Sequence, residues 1–307
     1  MNRRTFLSLA AASAPLAAQQ PKRPLPADES QIITLEVTRV NLLYTVSDKR
    51  GRFVNNLVKD DFEITESKRR QNIMEFAAET NLPLRIAMLV DTSNSIRDRF
   101  RFELEAAGHF LQSVIRSGTD RAVIYGFDTE PHMVQDMTDD TELLSKKLRE
   151  LRPGGGTALY ETMYAACRDR LMMGESRHKY RHAMVVIGDG DDNASKYSRD
   201  QALEMAQKAD VVIYAISTNM TRTETDGDKV LKYFCKETGG LAFFPFKAED
   251  LARDFENIAN ELRSQYRVLY RPEPLKEDGL FHEIDIRVKG RTDVTVRARK
   301  GYYAPRK

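Results

Sequence analysis

Two short apolar runs, Leu84-Arg85-Ile86-Ala87-Met88-Leu89-Val90 and Ala183-Met184-Val185-Val186-Ile187, constrain this chain most. The first stops directly at Asp91, the second at Gly188-Asp189-Gly190. Runs this short do not make a helix of ordinary length, and without polar alternation they fit strands buried on both faces. Such strands need helices on either side. Between the runs, Phe100, Leu104, Ala107, Phe110, Leu111 and Val114 recur on one face at helical spacing, which predicts a helix over about 96–115. The alternation continues with a strand over 122–127, helices over 138–151, 158–172 and 198–209, and a strand over 211–216. A helix over 229–237, a strand over 241–244 and a long helix over 248–264 complete it. The expected fold class is α/β: a doubly wound, mostly parallel, Rossmann-like sheet over 84–265. Ligands of such sheets sit outside the carboxyl ends of the strands, where strand order reverses. Asp91 and Asp189 would meet there if their strands are neighbours.

Three segments bring oxygen donors to strand ends or helix starts: Asp91-Thr92-Ser93-Asn94-Ser95, Gly154-Gly155-Gly156-Thr157 and Gly188-Asp189-Gly190. Asp91, Ser93, Ser95, Thr157 and Asp189 together offer two carboxylates and three hydroxyls. Hard divalent cations prefer oxygen ligands of this kind. The glycines before Thr157 let the backbone come close to whatever the threonine faces.

Asp-x-Ser-x-Ser at 91–95, Thr157 in its glycine-rich loop and Asp189 before a glycine resemble the metal-ion-dependent adhesion site of von Willebrand factor type A domains. All five motif positions are present, and the resemblance covers roughly 84–265. Segments 54–76, with Asp60-Asp61-Phe62-Glu63-Ile64 at its centre, and 299–305 resemble the flanks of a related group of bacterial secreted proteins. The resemblance implies Mg²⁺, or Mn²⁺ or Ca²⁺, held by Asp91, Ser93, Ser95, Thr157 and Asp189 directly or through water. A glutamate or aspartate carboxylate from a partner protein would complete the coordination. The function so implied is adhesion or binding, not catalysis. Gly188 stands where the family commonly has threonine, a change expected to keep the ligands and loosen the loop. The alternatives are a structural metal with a β domain as the interaction surface, or a Mg²⁺-dependent phosphate hydrolase using Asp91.

The first eighteen residues read as an export signal of twin-arginine type, with a general secretory signal as the alternative: Arg3 and Arg4, an apolar stretch over 6–14, then Leu16-Ala17-Ala18. No cysteine follows that stretch to carry a lipid, and no run is long enough to span a bilayer. Export leaves periplasmic and extracellular destinations open. The chain has 48 Lys and Arg against 46 Asp and Glu, and loss of Arg3 and Arg4 leaves it neutral. That balance, with no basic tract, argues against nucleic acid as the main partner. Residues 19–29 read as a flexible linker. Ile33, Leu35, Val37, Val40, Leu42 and Tyr44 alternate with polar residues, and short strands are expected over 62–65, 73–76, 266–270, 281–288 and 294–298. Neither flank is long enough to bury a good core alone. Segments 30–80 and 266–307 are therefore expected to pair into a smaller all-β sandwich-like domain, with two separate modules as the alternative. The oligomeric state is not legible.

Rival chemistry is weaker. Asp189, Asp191, Asn193 and Asp200 have the spacing of a calcium loop, but Ala194 replaces its glycine and a strand precedes it. Asp191 and Asp192 are read as solvated loop acids. A phosphoaspartate hydrolase would carry a second aspartate where Ser93 stands, and the glycine loop lacks the lysine of a nucleotide-binding loop. No Gly-x-Ser-x-Gly occurs. His178 and His182 are read as a solvated loop, Cys167 and Cys235 as separately buried thiols with a disulfide left open, and Tyr302 and Tyr303 as packing on the sandwich.

Overall fold

The computed structural model describes residues 39–78, 82–93, 100–173, 179–219, 221 and 223–306. The export-signal and linker readings, and Ser95, lie outside the described residues. Four strands come first: β1 (Val40–Asp48), β2 (Phe62–Glu66), β3 (Arg69–Gln71) and β4 (Ile73–Ala77). The central unit runs β5 (Leu84–Asp91), α1 (Phe100–Val114), β6 (Arg121–Phe127), β7 (Pro131–Thr138), α2 (Thr141–Glu150) and α3 (Leu159–Ala166), which passes into a π-helical turn (Cys167–Leu171). It continues through β8 (Arg181–Gly188), α4 (Arg199–Lys208), β9 (Val211–Ser217), α5 (Asp226–Thr238), β10 (Ala242–Phe243) and α6 (Ala248–Arg263). The last strands are β11 (Tyr266–Tyr270), β12 (Phe281–Val288), β13 (Val294–Ala298) and β14 (Gly301–Tyr303).

The central sheet has the order β10-β9-β8-β5-β6-β7 and is parallel except for β7. Side chains of a strand alternate between faces, so β5 feeds two cores. Ile86, Met88 and Val90 pack with Leu104, Phe110 and Leu111 of α1, Leu144 of α2 and Phe255 of α6. Ala87 and Leu89 pack with Met163 of α3, Leu203 of α4 and Phe234 of α5. Each fully buried Val, Leu, Ile, Met or Phe among them contributes about 1.5–3 kcal/mol. Strand order reverses at β5. The chain leaves it to β6 on one side and returns to β8 on the other, which opens the crevice between β5 and β8.

The flanking strands form two antiparallel sheets, β13-β1-β11-β4 and β14-β12-β2-β3. Each sheet interleaves strands from before and after the central unit; β1 pairs with β11 and β13, and β12 pairs with β2. Between the sheets lie Leu42, Tyr44, Phe62, Ile64, Tyr266, Val268, Ile284 and Tyr302. Tyr266 stacks on Tyr44 with ring centroids 5.4 Å apart and donates its hydroxyl to Val54 O at 2.7 Å. Tyr302 is buried and donates to Glu66 Oε1 at 3.1 Å.

The sandwich is tied to the end of the α/β unit opposite the carboxyl ends of its parallel strands. Arg299 pairs with Asp210, just before β9. Arg297 pairs with the buried Glu261 of α6 at 2.8 Å, and Lys300 N donates to Glu237 O at 3.1 Å. Gly239 closes α5 with φ +87°, and a Cβ there would meet Ala298 C at 2.6 Å. Cys167 and Cys235 are free and buried. His182 is not in a solvated loop: it is buried in β8, with Nδ1 2.8 Å from Ala209 O. His178 lies outside the described residues.

Candidate metal centre

β5 and β8 are neighbours in register, with Val90 opposite Ile187, so Asp91 comes to lie beside Gly188, with Asp189 next along the chain. Asp91 is 0% exposed. Its Oδ1 accepts from Ser93 N at 2.7 Å, which folds the chain sharply after the strand. Its Oδ2 is buried and has no hydrogen-bond partner among the described residues. Burial pushes the Asp91 carboxyl up to about 7, and the Asp189 carboxylate adds to the push; donors at Ser93 and Asp189 pull partly back. A buried carboxylate with an orphaned oxygen is costly unless a cation or donor meets it.

Gly188 makes room for this group. A Cβ on it would sit 2.9 Å from Asp91 Cβ and 3.1 Å from Oδ2. The glycine is also paired, since Thr218 N donates to its carbonyl at 3.1 Å. It is the last residue of β8. Gly188→Thr is expected to displace Asp91 and to cost about 1–3 kcal/mol by overpacking. Chemical denaturation measures it, and unchanged stability would refute the close approach.

The other two segments are drawn in by the backbone. Gly154 N donates to Thr92 O at 2.6 Å, and Thr92 N donates to Phe127 O at 2.8 Å. Thr157 is buried, and its N–H donates to Asn193 Oδ1 at 2.9 Å. Asn193 N and Ala194 N donate back to Thr157 O at 2.9 and 3.1 Å. Asp189 is half-buried, and its Oδ1 accepts from Asp191 N at 3.1 Å. The fold thus gathers the segments carrying Asp91, Ser93, Thr157 and Asp189. Among the described residues no cluster of three or more His, Cys, Asp or Glu stands ready for a metal, so a cation here would rely on mixed carboxylate and hydroxyl donors.

Sequence reasoning missed the group that braces the rim. Ala158 precedes α3 and supplies no side-chain cap. Asp192 Oδ2 instead accepts from Tyr160 N at 2.8 Å, and Ser195 Oγ from Glu161 N at 2.8 Å. Ser195 Oγ in turn donates to Asp192 Oδ2 at 2.6 Å. Asp192 is a helix cap delivered from another loop, not a solvated acid; Asp191 is exposed. The signal available in the sequence was a run of capping residues, Asp192, Asn193 and Ser195, together with a helix that starts on alanine. Burial raises the Asp192 carboxyl; that of Asp191, on an exposed residue, is raised by partial desolvation and by the nearby Asp189, Asp226 and Asp228. The rim is electronegative. At the end of β9 it is braced by Asp228, which accepts from Ser217 Oγ and Asn219 Nδ2 at 2.7 Å each.

The central unit is thus a doubly wound α/β unit with oxygen-bearing side chains at the switch point of its parallel sheet. Residues 86–191 match the family model of the von Willebrand factor type A domain. No curated protein matches the chain. Among solved structures, a von Willebrand factor type A protein from Catenulispora acidiphila matches with a TM-score of 0.52 at 11% identity, over 87% of this chain and 74% of that one. Proximal thread matrix protein 1 from the mussel byssus, in a structure with a zinc-occupied MIDAS motif, matches with a TM-score of 0.51 at 14% identity, over 62% of this chain and 49% of that one. The PilB minor pilin of Streptococcus sanguinis has a TM-score of 0.49 at 13% identity over 61% of this chain, which spans 62% of the pilin chain. At these identities the likeness is one of fold.

Proposed function

We propose that this protein is an exported binding protein that recognises a partner protein through a divalent-metal-dependent adhesion site. The observation that carries the reading is the buried Asp91 carboxylate with an orphaned Oδ2 at the switch point, beside Ser93 and Asp189. Asp91 and Asp189 would supply charge, and Ser93, Ser95 and Thr157 neutral oxygens, for Mg²⁺ or a similar hard cation. Such a cation supplies an exchangeable coordination position for an aspartate or glutamate of the partner. The chain's residues do the rest: Gly188 admits the Asp91 carboxylate, the Ser93 N–H orients it, and the capped α3 fixes Thr157. The match of residues 86–191 to the von Willebrand factor type A model supports a role as an interaction module. The sandwich supports it too, because it holds the opposite end of the α/β unit and leaves the rim outward. Among the described residues no helix is long and apolar enough to cross a membrane. The arginine pair at Arg3 and Arg4 supports export.

Calorimetric titration with Mg²⁺ and Mn²⁺, beside Thr157→Ala, tests the reading. Saturable binding that weakens tenfold or more in the variant, with unchanged thermal unfolding in chelator, is the expected result. Thr157→Ala that lowers stability in chelator and leaves metal affinity intact would overturn the assignment of Thr157.

A further inference from the structure

We infer that Asn193 is a positioning residue for Thr157, joining two donor segments of the rim before any cation arrives; this rests on the metal-binding reading above. Thr157 and Asp189 lie on different loops, and nothing in their local sequence relates them. Asn193 supplies the relation. Its Oδ1 receives the Thr157 N–H at 2.9 Å, and its own N–H returns to Thr157 O at 2.9 Å. Both polar groups of the Thr157 backbone are thereby held by the loop that starts at Asp189. The Ala194 N–H reinforces the second bond at 3.1 Å.

The approach is also close on the Gly156 side. A Cβ on Gly156 would stand 2.8 Å from Asn193 Oδ1, so a larger residue there would push the side-chain amide away from the Thr157 N–H. The same loop anchors α3 through Asp192 and Ser195, which stops the helix from carrying Thr157 away. Its start is fixed as well, because Asp191 N donates to Asp189 Oδ1 at 3.1 Å. The segment from Asp189 to Ser195 is thus a brace with a candidate ligand at one end and the other donor's backbone at its middle. A site held in this way loses less conformational freedom when it binds, which strengthens affinity without adding a ligand. Asparagine suits the position because its oxygen accepts the N–H without adding another carboxylate to an acidic rim.

The test compares the wild-type protein, Asn193→Ala and Asn193→Asp. Amide hydrogen exchange is measured in chelator, and Mg²⁺ affinity by calorimetry. In Asn193→Ala the Thr157 amide is expected to exchange at least about tenfold faster while β5 and β8 amides keep their protection, and Mg²⁺ affinity to fall about tenfold, as for residues that orient metal ligands. Asn193→Asp retains an acceptor oxygen and is expected to restore both. Unchanged Thr157 exchange in Asn193→Ala overturns the inference, and so does faster exchange with undiminished Mg²⁺ affinity. Absence of Mg²⁺ binding to the wild type would instead remove the metal-binding reading, while the exchange data still decide whether Asn193 holds Thr157.

Discussion

Asp91→Asn is expected to stabilise the metal-free protein at neutral pH and to abolish its stabilisation by Mg²⁺. The carboxyl is held at about 7 in the folded chain, against 3.8 for the free group, and burial is the main cause. A group whose folded value is raised contributes stability that is fully present below its unfolded value. That stability is lost as pH rises through the folded value. Metal-free wild-type protein should therefore weaken between about pH 4 and pH 7, by at most roughly 4 kcal/mol at 1.36 kcal/mol per unit. Asparagine has no charge to desolvate, so the variant lacks this slope. The amide nitrogen that replaces Oδ2 also lacks a partner, which reduces the expected net gain to on the order of 2 kcal/mol at pH 8. Urea unfolding at pH 5 and pH 8, in chelator and in Mg²⁺, measures all four quantities. A variant weaker than wild type in chelator at pH 8 would mean that Asp91 is not the strained group of the rim.

Arg297→Met is expected to cost about 3 kcal/mol at pH 8 and clearly less at pH 5. Arg297 is the ion-pair partner of Glu261, whose side chain is 1% exposed. Thr45 Oγ1 also donates to it, at a longer 3.4 Å. Breaking a buried pair on one side leaves a charge without compensation, an effect of roughly 3–5 kcal/mol. Burial already holds the Glu261 carboxyl above its usual range, with Arg297 pulling it down. Without Arg297 the folded value rises further, so the lost stability grows with pH above the unfolded value and is capped where the carboxyl takes up a proton. Glu261→Leu with Arg297→Met is expected to recover most of the loss, because an apolar pair leaves nothing unpaired. Equal denaturation midpoints for wild type and Arg297→Met at pH 8 would dismiss the pair as a tie between sandwich and α/β unit.

How far the sequence could be read differs from element to element for physical reasons. β5, β8 and β9 are buried on both faces, so their composition alone marks them as interior strands. β7 was not anticipated. It is the antiparallel edge, mostly exposed or half-buried, and its polar residues after Pro131 carry little alternation. The helix after it starts at Thr141, capped by Asp140 through Leu143 N, not at 138. The basic neighbours of His182 suggest a loop, yet it is the second residue of β8 and its imidazole reaches Ala209 O. Asp192 looked solvated because nothing local shows that α3, more than thirty positions earlier, lacks a cap of its own.

What the sequence by itself determined is whatever short-range periodicity and residue chemistry encode: alternating strands and helices, a doubly wound α/β class, and oxygen donors at the ends of two interior strands. Those properties depend on residues a few positions apart, where side-chain direction follows directly from backbone geometry. What only the tertiary structure decided is adjacency. That β5 lies against β8, that Gly188 yields its Cβ volume to Asp91, and that Asn193 clasps Thr157 all join residues far apart in the chain. Contacts of that kind are selected by how whole faces pack and how buried polar groups find partners, and no local pattern carries them.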